Sequence, residues 1–157
     1  MINERVPINE FRNLAGKDLG YSQWLKIDQK RIDLFAQATE DYQFIHVDKE
    51  KAAQTPMGTT IAHGFLTLSL ISHLTAQTTV VPEGYKMTYN YGLNKLRFLS
   101  PVPVDSEVRT HVKIDIIEEK KPGQFRVEST VTVEIKGQEK PALVAESLAM
   151  HFCDILE

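Results

Sequence analysis

Apolar residues recur at helical spacing along the first half of the chain and at alternate positions along the second. Between Asp28 and Thr39, Ile32, Phe35 and Ala36 fall at i, i+3 and i+4, Leu34 widens the stripe, and Lys30, Asp33 and Gln37 take the opposite side. This spacing predicts an amphipathic helix, with Asp28 placed to cap its N-terminus. Shorter helical patterns run from Ile8 to Leu14, ending near Gly16, and from Lys49 to Gln54. From His63 to about Gln77, Phe65, Leu66, Leu68, Leu70, Ile71 and Leu74 leave almost no polar face, and most polar positions are small. A helix apolar nearly all round is expected to be buried.

The second half reads as strands. Tyr85 to Arg97, Glu107 to Ile117, Phe125 to Lys136 and Ala142 to Cys153 are rich in Val, Ile, Thr and Tyr, with the clearest alternation in VRTHVKIDI and RVESTVTVEI. SPVPVDS, EEKKPGQ and KGQEKP separate them with turn-forming residues. A short strand from Tyr21 to Ile27 is expected to pair with these. Antiparallel strands plus one long buried helix predict an α+β fold with the sheet wrapped around the helix. Such a sheet leaves an edge for a second subunit, so a homodimer is the expectation.

Composition narrows the function classes. A chain of 157 residues is enough for one domain, taken as 1–157, with a sizeable core. A net charge of -3 gives no reason to expect nucleic acid or an anionic membrane as partner. The single cysteine, Cys153, cannot form an internal disulfide, which fits a cytoplasmic setting. The start, MINERVPINEF, lacks the basic and apolar regions of a leader, and the run from Phe65 to Leu74 is too short to span a bilayer.

The candidate chemistry begins at EDYQFIHVDKE, Glu40 to Glu50, where Asp41 precedes His46 by five positions and Phe44 and Ile45 lie between them. Two readings are open. Asp41 caps a turn and His46 is a satisfied structural histidine; or Phe44 and Ile45 anchor a loop in the core and hold an acid and an imidazole in a partly desolvated site for acid–base work. Asp48 and Glu50 read as the solvated start of the next helix. In TTIAHGF, Gly64 stands where the long helix begins. It either makes room for the chain there or presents a backbone N–H to an oxygen gaining negative charge.

DYQFIHVD (Asp41 to Asp48) followed by IAHGFL (Ile61 to Leu66) resembles the MaoC-like dehydratases, the (R)-specific enoyl-CoA hydratases. NYGLNKLRF (Asn90 to Phe98) and PVPVD (Pro101 to Asp105) extend the resemblance, which is greatest to the branch named after nodulation protein N and covers about residues 20 to 150. It implies a hot-dog fold and reversible addition of water to a 2-enoyl thioester, with Asp41 and His46 as catalytic pair and the N–H of Gly64 as oxyanion donor. A serine on the helix bonds the catalytic acid in some relatives, and Ser72 stands at that spacing. Many relatives read D-x-N-P-x-H; here Gln43 and Phe44 replace Asn and Pro, and the bulk of Phe44 bears on the shape of the acyl pocket.

His63 reads as a structural imidazole that fixes the start of the helix. The spacing of Asp41, His46, Asp48 and His63 matches no compact ligand signature, so no metal is expected. No cofactor is expected either, CoA or an acyl carrier being part of the substrate. Lys95 and Arg97, alternating on one strand, read equally as contacts for CoA phosphates or as a solvated face. Surface or strand positions suffice for His73, His111 and His151, and Lys120 to Gly123 reads as a hairpin turn. Two other functions compete: a hot-dog acyl-CoA thioesterase, and a non-catalytic acyl-thioester-binding subunit. Thioesterases of this fold generally place an acid on the central helix, and none occurs between Phe65 and Leu74.

Overall fold

The computed structural model describes residues 4–154. Residues 1–3 and 155–157, which the expected leader-free start and the domain span 1–157 take in, lie outside the described residues. In chain order the elements are β1 (Glu4–Val6), α1 (Ile8–Arg12), β2 (Asp18–Tyr21), β3 (Leu25–Lys26), α2 (Gln29–Thr39), α3 (Phe44–Val47) and α4 (Lys49–Ala53). They continue with α5 (Gly64–Ser69), α6 (Ile71–Thr75), β4 (Val80–Pro82), β5 (Tyr85–Phe98), β6 (Glu107–Lys121), β7 (Gln124–Ile135) and β8 (Leu143–Cys153).

A six-stranded antiparallel sheet runs β2-β6-β7-β8-β5, with β3 also paired to β6, while β1 and β4 form a small parallel pair. Alternation decides which face of the sheet is covered. Phe125, Val127, Val131, Val133 and Ile135 of β7 are buried at every second position except Ser129. Leu66 of α5, Leu70 between the helices, and Ile71 and Leu74 of α6 pack with Val112, Val131, Val133 and Ala145 in one core, so the helices lie on the concave face. A second core joins Phe11 of α1 to Ile114, Phe125 and Val127.

The long helix departs from expectation in two ways. It is divided at Leu70, although the Leu70 N–H still donates to Leu66 and the Leu74 N–H to Leu70. Ser69 Oγ donates back to the Phe65 carbonyl at 2.7 Å, a bond that competes for the helical acceptor and bends the chain. Nor is the helix buried all round. Phe65 is 66% exposed and meets the Phe98 ring edge-on, centroids 5.8 Å apart.

The strand expected from Tyr21 to Ile27 is also split, because the Ser22 hydroxyl, rather than a main-chain carbonyl, accepts the Thr110 N–H at 2.9 Å. A bulge between Asp18 and Gly20, where Gly20 takes a φ of +79°, completes the irregularity. Lys120 to Gly123 does form the β6–β7 turn, with Lys121 opposite Gln124.

His151 is an unexpected interior residue, 5% exposed, with Phe11 and Tyr85 against its ring. Burial holds the imidazole at about 4, below its ordinary 6.5. The folded chain therefore keeps His151 neutral while the unfolded chain takes up a proton. The resulting stability, on the order of 3 kcal/mol, is present in full above pH 6.5 and is lost as pH falls from there towards 4. Urea unfolding at steps across that range should show the decline in the wild type and a flatter profile in His151→Phe.

Candidate active site

The site is built where three short segments meet beneath α2. Asp28 caps α2 by accepting the Arg31 N–H at 2.9 Å, as the sequence predicts. Gln29, the first residue of that helix, then braces two of the segments. Its Nε2 donates to the His46 carbonyl at 2.8 Å, and its Oε1 accepts from the buried Thr60 hydroxyl at 2.6 Å. Gln29 and Thr60 carry no local signal, since their role depends on contacts across 17 and 31 positions.

His46 lies on α3, a single helical turn, and not on a loop. It is buried, and its Nδ1 is 2.7 Å from the Ile61 carbonyl. A carbonyl only accepts, so the neutral ring carries its proton on Nδ1 and leaves Nε2 as a base. Burial is the main influence holding the pKa of His46 below its ordinary value; the Ile61 bond opposes this, the nearby His63 ring assists, and Asp41 opposes.

Phe44, expected as an anchor, is 42% exposed. The inward side of a one-turn helix is taken by His46, with Ile45 half-buried, and Phe44 falls on the outer side. The desolvated group is thus the imidazole itself. Asp48 turns away to cap α4 through the Lys51 N–H.

Asp41 is exposed and accepts the backbone N–H of Gln43 at 3.3 Å. Gln43 therefore serves through its main chain. His63 is 2% exposed; its Nε2 donates to the Asp41 carbonyl at 3.0 Å, while its ring stacks on His46 with centroids 3.8 Å apart. It gives α5 no side-chain cap, so its structural part is to fasten the Asp41 segment rather than to fix the helix start. One polar atom each of Asp41, His46 and His63 lies within 4.8 Å of the others. That cluster has the residue types of a metal site.

Gly64 opens α5 beside a cleft of about 390 Å³ whose wall includes His46, Ile45, Thr67 and Phe98. Asp41 lies outside that wall. A Cβ on Gly64 would stand 3.1 Å from the Phe98 ring, so glycine permits the close approach. Ser72 does not join Asp41: the Asn90 amide donates to its hydroxyl at 3.2 Å. Lys95 pairs with Glu146 at 2.9 Å, whereas Arg97 donates to the Leu96 carbonyl and meets no carboxylate among the described residues.

Residues 10–137 match the family described as MaoC like domain. The chain is also 48% identical over 137 residues to 3-hydroxyacyl-thioester dehydratase Z of Mycobacterium tuberculosis, covering 87% of this chain and 90% of that protein. The chain belongs to the MaoC-like family. It is 45% identical to Nodulation protein N of Rhizobium leguminosarum bv. viciae, over 83% of this chain and 81% of that one. Among solved structures, the (R)-hydratase from A. caviae involved in PHA biosynthesis superposes with a TM-score of 0.70 at 26% identity, covering 86% and 94% of the two chains. The sheet wrapped around a helix is thus the hot-dog fold of MaoC-like proteins.

Proposed function

We propose that this MaoC-like protein is a hydro-lyase that adds water reversibly across the 2,3 double bond of a 2-enoyl thioester, with CoA as the carrier. The observation that carries the reading is a base of defined tautomer, His46, with a ring nitrogen no more than 4.8 Å from an oxygen of the Asp41 carboxyl group. A water at hydrogen-bond distance, about 2.8 Å, from each group fits that gap. Relatives named as 3-hydroxyacyl-thioester dehydratase and 3-hydroxybutyryl-CoA dehydratase support the reaction class.

In hydration His46 takes a proton from the shared water as its oxygen attacks the β-carbon, and the Asp41 carboxyl group supplies a proton to the α-carbon, leaving a carboxylate. A proton passed from imidazolium to carboxylate through the next water restores the starting state. The enolate oxygen formed between these steps is met by the Gly64 N–H. No step requires a metal or cofactor. Arg97, one residue from Phe98 at the cleft, is the cation we assign to the CoA phosphates. The working unit in this reading is a single-domain cytoplasmic homodimer. Its contact is β5, the sheet edge, which exposes Met87, Tyr89, Tyr91 and Leu93.

A lowered pKa keeps His46 unprotonated at pH values where an ordinary histidine is charged. The acid limb of kcat/KM is therefore expected below pH 6.5. Incubation with crotonyl-CoA tests the function: the conjugated absorbance should fall with no free thiol released. Thiol release without hydration would establish the thioesterase, and tight CoA binding with neither change would establish the binding subunit. The span Gly64 to Thr75 carries no Asp or Glu, which favours the hydratase over the thioesterase.

A further inference from the structure

A second cavity, of about 380 Å³, lies between α6 and the concave face of the sheet, and the steps above do not use it. Its wall includes Ile71, Ser72 and Thr75 of α6, and Thr67, Ile71 and Thr75 follow one another at i+4 along a single helix face. Gly64 and Thr67 line the first cleft, so the two spaces occur in sequence along one helix. Gly64 to Ser72 is about 12 Å at the helical rise, a distance an acyl chain of medium length spans.

The wall of this inner space sets polar groups among apolar side chains such as Leu19, Ile71 and Val131. Ser129 of β7 and Ser147 of β8 stand directly opposite each other on the inner face, breaking the apolar alternation of both strands. Beyond them His151 closes the space, joined through Nδ1 to the Thr88 hydroxyl at 2.6 Å, which in turn meets the Tyr85 hydroxyl at 2.9 Å. Ser129, Ser147 and His151 thus place two hydroxyls and an imidazole on the wall of one cavity. Hydroxyl and imidazole groups on a cavity wall offer hydrogen bonds that a hydrocarbon guest cannot use and an oxygenated one can.

We propose that this inner cavity recognises an uncharged oxygen function, a hydroxyl or a keto group, on the far part of the acyl chain, with His151, Ser129 and Ser147 as its hydrogen-bonding groups. The inference rests on the acyl-thioester reading above and refines its substrate class. Neither Lys nor Arg lines the cavity, and burial keeps the imidazole neutral at pH 7, so a carboxylate finds no counter-charge there. The Thr88 and Tyr85 hydroxyls rotate, which lets His151 present Nε2 either as N–H to a carbonyl or as a lone pair to a hydroxyl. An all-carbon tail would leave these groups dry and unpaired, at a cost an oxygenated tail avoids.

The test compares two 2-enoyl-CoA substrates of equal medium length, one with a plain alkyl tail and one with a hydroxyl near its far end. In the wild type kcat/KM should favour the hydroxylated chain by about tenfold or more. In His151→Phe and in the Ser129→Ala/Ser147→Ala double variant that ratio should fall by about tenfold, because a ratio within one variant cancels any general loss of activity. Preference for the plain chain in the wild type, or an unchanged ratio in both variants, overturns the proposal. If neither chain is hydrated, the proposed reaction fails on its own account, and calorimetric titration with the saturated acyl-CoA pair decides the cavity. Tighter binding of the hydroxylated chain, lost in the variants, supports it; equal binding of the two chains overturns it.

Discussion

Asp41→Asn and His46→Ala should each reduce kcat for enoyl-CoA hydration by about 10²–10⁴-fold, the usual contribution of a positioned proton donor or acceptor. The two losses should not add. Both groups act on one water, so a double variant is expected to fall little below the worse single variant. Folding should survive in each case. Asp41 is exposed, and its carbonyl, which His63 holds, is retained in Asn. His46→Ala is the riskier change because it removes a buried ring stacked on His63 and leaves the Ile61 carbonyl without its donor. Circular dichroism and melting separate a misfolded variant from a silent one. Near-normal turnover in both folded variants would remove this pair from the mechanism.

A comparison at Gly64 should give the second large effect. Gly64→Ala and Gly64→Pro both introduce a Cβ that meets the Phe98 ring at 3.1 Å, and that ring, 46% exposed, has room to swing aside. Only proline also deletes the N–H. The backbone tolerates it, because Gly64 is the first helical residue and His63 has φ -58° and ψ 138°, the extended region favoured before proline. The proline variant should therefore lose about 10²–10³-fold in kcat relative to the alanine variant, the contribution of one oxyanion donor. Equal rates in the two variants would assign Gly64 to clearance alone.

The strands were legible in the sequence because alternation against one covered face is a local pattern. β6, β7 and β8 begin within two residues of where VRTHVKIDI, RVESTVTVEI and the run to Cys153 place them. The split of the 21–27 strand was not legible, because it turns on one serine hydroxyl accepting an N–H 88 positions away. At the candidate site, order and motif put Asp41, His46 and Gly64 forward. Which residues of EDYQFIHVDKE face inward could not be read: a single helical turn has too few residues to display a period, and Phe44, expected to anchor the segment, is exposed while His46 is buried. The Gln29 brace, the bond from His63 to the Asp41 carbonyl, and Ser72 meeting Asn90 are all products of tertiary contact. His151 was read as a surface or strand histidine, and it does lie on a strand; its burial against Phe11, Tyr85 and Thr88 depends on tertiary contacts.

The central claim is that one water held by Asp41 and His46 is added to the β-carbon while the thioester stays intact. Turnover of crotonyl-CoA in ¹⁸O-labelled water, followed by mass spectrometry of the products, tests it directly. The account predicts label in the 3-hydroxyl of an intact 3-hydroxybutyryl-CoA. Label in the carboxylate of a released acid, with no labelled hydroxyacyl thioester, would contradict it.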